Sequence, residues 1–187
     1  PVIARDFAVT LREVSWVVIA FSLTVTALLL PMGRLSDLIG RKKTLVSGIG
    51  LFIVGSLICY IAESLFMLIL GRVVMGIGAS MGQGVGTAIV VSVFPQNERG
   101  KAIGSHTTVV AIGSAGGPVM AGVLLQFFPW QVIFLAVAVP AVVAFFWGIL
   151  ILDDARIGSF QSEDTVFDWT GACLSALLML FFVLTLN

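Results

Sequence analysis

The chain has 187 residues, of which 59% are apolar and only 11% charged, and its ten basic residues balance its ten acidic ones. Soluble domains carry about a quarter charged residues, so a water-soluble fold of this size would have to expose much of its apolar surface. A mean hydropathy of +1.13 and the absence of any basic block exclude a nucleic-acid binder and place the chain in a lipid bilayer.

The N-terminal stretch, residues 1–13, carries Arg5 and Arg12 and reads as a loop. It shows no charged, apolar and cleavage-site sequence of the kind that marks a signal peptide. Six apolar segments follow, at about Val14–Met32, Leu45–Ala62, Leu65–Phe94, Ala102–Phe128, Trp130–Leu152 and Trp169–Leu186. Each has at least 18 residues, enough at ~1.5 Å per residue to cross a hydrocarbon core. None alternates apolar and polar residues as a barrel strand does, and helices satisfy their own backbone groups in lipid. The predicted fold class is therefore an all-α membrane protein. Its transmembrane helices cover residues 14–152, a loop spans 153–168, and a further helix spans 169–187.

The connections set the orientation. Those after the first, third and fifth segments carry Arg34, Arg41, Lys42, Lys43, Arg99, Lys101 and Arg156, against Arg5 and Arg12 on the other side. The positive-inside rule puts the first group in the cytoplasm and residues 1–13 outside. The protein is expected to be a multi-pass integral protein of a plasma or inner membrane.

Small residues recur every four positions at Gly78, Gly82 and Gly86, and again at Gly113, Gly117 and Ala121. That spacing predicts close helix–helix approach on those two faces. Pro118 and Pro140 fall inside segments, where each removes a backbone donor and favours a kink.

Nineteen of the twenty charged residues fall in connections or at segment ends; the exception is Arg72. A charge in a bilayer faces the bundle interior or snorkels to the surface, and both readings of Arg72 are open. Arginine does not give up its proton, so Arg72 can only steer a partner. No Asp or Glu lies deep in any segment, which places a titrating carboxylate, if coupling needs one, outside these residues. Cys59 and Cys173 lie in separate apolar runs, and one histidine, His106, is too few for a metal cluster. No catalytic triad or phosphate loop is present, so the protein is not read as an enzyme.

Three stretches resemble signatures of the major facilitator superfamily. Gly33 to Leu45, with Gly33, Asp37, Gly40, Arg41 and Lys42 in register, resembles the loop between the family's second and third helices, although Leu38 stands where an arginine is usual. Leu68, Arg72, Gly76 and Ala79 resemble the fourth-helix motif, with Met75 in place of a glutamine. Gly113, Gly117, Pro118 and Gly122 resemble the fifth-helix motif of exporters, with Ala121 replacing a glycine.

The resemblance spans nearly the whole chain and implies that its segments are family helices 2 to 7, part of an N-terminal half. The first helix and the C-terminal half would be partners from the same transporter. The turn before Trp169, with Asp168 and Gly171, is similar to the 14-helix drug:proton antiporter branch. The implied activity is export of amphipathic small molecules by alternating access, driven by a proton gradient without a cofactor. Gly33, Asp37, Gly40 and Arg41 would form a cytoplasmic latch, Arg72 would serve proton coupling, and Gly113, Gly117 and Pro118 would set helix packing. A carrier for one metabolite and a non-transporting sensor are the alternatives.

Overall fold

The computed structural model describes residues 2–152 and, beyond them, Gly171, Leu174 and Phe181. The described residues form helices joined by short turns, with no strand among them: α1 (Val2–Asp6), α2 (Leu11–Ile39), α3 (Arg41–Tyr60), α4 (Leu65–Val93), α5 (Arg99–Phe127) and α6 (Val132–Ile151). Five of these, α2 to α6, are long and apolar enough to span a bilayer. The expected loop at 153–168 lies outside the described residues, as does most of 169–187.

Helix ends are set by local chemistry. At the start of α2, the Thr10 side chain accepts from Glu13 N at 3.3 Å, and the Glu13 carboxylate accepts from Thr10 N at 2.8 Å, a capping box. Helix α2 therefore begins at Leu11, three residues before the first apolar segment, and α1 occupies part of the stretch read as a loop. At its other end α2 runs through the buried Pro31 to Ile39. The cytoplasmic connection expected over Gly33–Lys43 is thus a single residue, Gly40. Its φ of +100° is one that side-chain-bearing residues avoid, and its N–H donates to Ser36 O at 3.1 Å. Ser64 caps α4 in the same way, accepting from Met67 N at 3.2 Å.

Helix α4 lies between α2 and α3, α6 covers the other side of α3, and α5 touches the rest only lightly. Lipid offers no hydrophobic drive between helices, so close backbone approach must supply the cohesion. Glycines provide it at the α3–α4 crossing. A Cβ built on Gly55 would lie 2.5 Å from Met75 N, and one on Gly71 would lie 2.6 Å from Cys59 Sγ. One on Gly78 would collide with the Gly48 carbonyl and lie 2.5 Å from Phe52 N. On the α2 side, a Cβ on Gly84 would lie 3.0 Å from Gly33 N.

The glycine stripe expected at 78, 82 and 86 is therefore only partly the contact face. Gly78 is at close approach, Gly82 meets nothing nearer than Leu45 Cδ1 at 3.9 Å, and Gly86 instead leaves room for the His106 imidazole of α5. The tight contacts pair Gly48 with Gly78 and Gly55 with Gly71 across the crossing, so the contacting glycines stand two turns apart on each helix. The close packing expected at Gly113, Gly117 and Ala121 is absent among the described residues: Cβ atoms at Gly113 and Gly117 would meet nothing within 4 Å. Helix α5 buries a single residue, Ala102.

Candidate functional site

Two groups of charged side chains sit against the helix bundle, one at each end. At the α2–α3 turn, Asp37 sits on the last turn of α2 and Arg41 on the first turn of α3, with Gly40 as the hinge between them. Their side chains meet at 3.5 Å, Arg41 largely buried and Asp37 46% exposed. Arg41 Nη1 also donates to Ala88 O of α4 at 3.4 Å. Arg41 thus ties three helices together: its own, α2 through Asp37, and the C-terminal part of α4. The turn is held from within by Ser36 Oγ donating to Gly33 O at 2.6 Å and Thr44 Oγ1 donating to Gly40 O at 3.0 Å, both side chains fully buried. A Cβ on Gly33 would meet the Gly84 carbonyl at an ordinary 3.7 Å, so in this α2–α4 contact the position that a side chain would crowd is Gly84. Lys42 is half-buried and forms no ion pair among the described residues.

Toward the opposite end of the bundle, Arg72 stands seven residues into α4, about 10 Å along the helix from its start. Of the two open readings, the structure turns it inward. Its Nε donates to Val17 O of α2 at 3.1 Å. Its guanidinium lies over the Phe21 ring of α2 at 4.6 Å and near the Phe134 ring of α6 at 5.8 Å. A guanidinium stacks on aromatic faces more readily than an ammonium because it is planar and weakly hydrated. No carboxylate bonds it among the described residues, so rings and one carbonyl are what satisfy this cation.

The rest of the fourth-helix motif packs rather than reaches out. Leu68 and Met75 are buried, and Gly76 lets α2 approach so closely that a Cβ there would lie 2.8 Å from Thr24 Cβ. The fifth-helix residues Gly113, Gly117, Pro118 and Gly122 are all exposed and lie on a face of α5 that no described residue covers. The structure does not bring them to Arg72 or to the α2–α3 turn.

Sequence reasoning missed the outer partner of this arrangement. Trp130 Nε1 donates to Asp6 Oδ2 at 2.7 Å across 124 residues of chain. The Trp130 ring meets Phe7 edge-on at 5.5 Å and Phe134 at 6.1 Å, and Trp130 itself is 2% exposed. The available signal was a tryptophan beside Pro129 at a segment start, which by itself also fits an interfacial anchor.

Five helices long and apolar enough to span a bilayer, packed on glycines around an inward-facing arginine, define a polytopic membrane protein. Comparison with known proteins makes the class specific. The sequence profile of the Major Facilitator Superfamily matches residues 1–186. The chain is 36% identical over its full 187 residues to the riboflavin transporter RibZ of Clostridioides difficile, of which it covers 40%. It is 35% identical over 135 residues, 72% of its length, to the multidrug resistance protein Stp of Mycobacterium tuberculosis, covering 25% of that protein. It is 33% identical over 180 residues, 95% of its length, to the MFS-type transporter EfpA of the same organism, of which it covers 32%. The chain belongs to the major facilitator superfamily and is a multi-pass membrane transporter sequence rather than an enzyme. It spans two fifths or less of the length of these relatives.

Proposed function

We propose that the protein of which this chain forms part is a proton-driven antiporter that exports drugs or other amphipathic small molecules by alternating access. The observation that carries the reading is Arg72, an inward-facing cation in a membrane span whose only described acceptor is a backbone carbonyl. A permanently charged group in that setting biases the protonation and position of any acid or substrate that approaches it. The exporter-like glycine–proline motif of α5 and the likeness to Stp support the direction of transport. Energy comes from the proton gradient, and no cofactor takes part. The C-terminal half and a first helix would complete the pathway, with the Asp37–Arg41 turn latching the cytoplasmic ends.

A second reading, a carrier for one planar metabolite such as a flavin, is favoured by the full-length likeness to RibZ. Proteoliposomes of the complete protein, loaded at one pH and diluted into another, separate the two. Under the first reading, cationic dyes move against an imposed proton gradient and release protons as they do. Movement of flavin alone, without proton release on dye addition, would replace it with the second.

A further inference from the structure

We propose that Trp130, anchored by Asp6, is a positioning residue for Arg72: it holds the Phe134 ring beside the guanidinium and so ties the outer surface to the charged centre of the bundle. The proposal rests on the reading that Arg72 serves transport, and goes beyond it by naming what sets its geometry.

One continuous set of contacts links Asp6 to Arg72. Helix α1 contributes Asp6 and, just after its end, Phe7; the turn between α5 and α6 contributes Trp130; α6 contributes Phe134; α4 contributes Arg72. The indole N–H donates to a carboxylate at 2.7 Å, a charge-assisted bond and therefore directional. With the nitrogen fixed, the indole plane is fixed, and its edge-on contacts to Phe7 (67° between planes) and Phe134 (87°) follow.

Phe134 needs that support. Its backbone carbonyl is held by the buried Ser56 hydroxyl of α3 at 2.6 Å, which fixes where α6 begins but not how the ring turns. The ring stands between Trp130 on one side and Arg72 Cζ, 5.8 Å away, on the other. Trp130 is thus the described aromatic neighbour that limits the ring away from Arg72. Loss of the anchor frees the indole, lets Phe134 rotate, and leaves the guanidinium with Phe21 and Val17 alone. The Trp130 indole bonds Asp6 and packs on Phe134, and Phe134 in turn faces Arg72, so its effect on the guanidinium passes through Phe134.

The test uses the full-length protein in lipid, labelled with 15N-arginine, with the Arg72 Nε resonance assigned by its disappearance in Arg72→Lys. Trp130→Phe removes the donor while retaining a ring, and Asp6→Leu removes the acceptor from the other side. Asp6→Asn keeps an acceptor oxygen and serves as the rescue control. Monodisperse elution verifies folding of each.

The expected result is a common displacement of the Arg72 resonance in Trp130→Phe and Asp6→Leu, with Asp6→Asn close to wild type. In transport, the same two variants raise KM about three- to tenfold, the size of effect that a disturbed cation–π contact produces. Trp130→Phe adds nothing further in an Arg72→Lys background. An unmoved Arg72 resonance in both variants, or transport effects that multiply with those of Arg72→Lys, overturns the proposal. A moved resonance with transport indifferent to every Arg72 substitution upholds the positioning and instead removes Arg72 from the transport reading.

Discussion

Replacing Gly78 with alanine tests whether backbone proximity holds α3 against α4. The added Cβ would collide with the Gly48 carbonyl oxygen and sit 2.5 Å from Phe52 N and 3.0 Å from Phe52 Cα. All three are backbone atoms, so no rotamer change relieves the overlap. The helices must separate by about 1 Å to restore ordinary contact at ~3.5 Å, and the whole crossing loosens with them. Overpacking of this kind costs ~1–3 kcal/mol, offset by the ~0.5–1 kcal/mol that alanine gains over glycine in a helix. The expected net loss is about 1–2 kcal/mol, near a tenfold change in the unfolding equilibrium.

Gly82→Ala is the matched control from the same glycine stripe. Its Cβ would meet only Leu45 Cδ1 at 3.9 Å, so it keeps the helix gain without the clash. Reversible unfolding in mixed detergent micelles should show Gly78→Ala destabilised and Gly82→Ala unchanged or slightly more stable. Equal effects of the two substitutions would refute the claim that spacing by two turns, rather than the four-residue stripe, defines the contact.

Other consequences follow from single contacts. Gly71→Ala should destabilise because its Cβ lies 2.6 Å from Cys59 Sγ, and Cys59→Ala in the same chain should recover part of the loss in a double-mutant cycle of unfolding free energies. Ser56→Ala removes the 2.6 Å bond to Phe134 O and should cost about 0.5–2 kcal/mol in the same unfolding assay, since bonds between membrane helices are individually modest. Gly40→Ala forces a side chain onto a φ of +100° and should cost at least ~1 kcal/mol even though nothing crowds the position, measured against a neutral Ala substitution on an exposed helix face. Arg41→Ala should lower transport more than Asp37→Asn, because Arg41 is the buried member and also bonds the Ala88 carbonyl, whereas Asp37 is half in water; initial export rates in vesicles decide it.

What could be read from the sequence was what depends on local pattern. The spans at α2 to α6 follow from apolar length, and Arg72, the one charge away from connections and segment ends, stood out against an apolar background. Boundaries were misplaced where capping rather than hydropathy sets them. Thr10 and Glu13 start α2 before its apolar run begins, and Gly40 compresses an eleven-residue polar stretch into a one-residue hinge, because Arg34 to Ile39 remain helical despite their polarity. The glycine contact face was mispredicted for a different reason. Small residues four apart are necessary for one kind of crossing, but the neighbour's phase decides which of them meet it, and α3 supplies its own glycines seven residues apart at Gly48 and Gly55. The Asp6–Trp130 bond could not be seen at all, since no periodicity links residues 124 positions apart.

The proposed function turns on Arg72 as a working cation in the transport path, held inward by Val17, Phe21 and Phe134. The direct measurement is substrate-driven proton release from proteoliposomes of the full-length protein, wild type against Arg72→Lys and Arg72→Ala. Flux is expected to be reduced in Arg72→Lys, which keeps the charge but not the planar stacking, and lost in Arg72→Ala. Undiminished flux in a correctly folded Arg72→Ala protein would contradict it and leave Arg72 with a purely structural role.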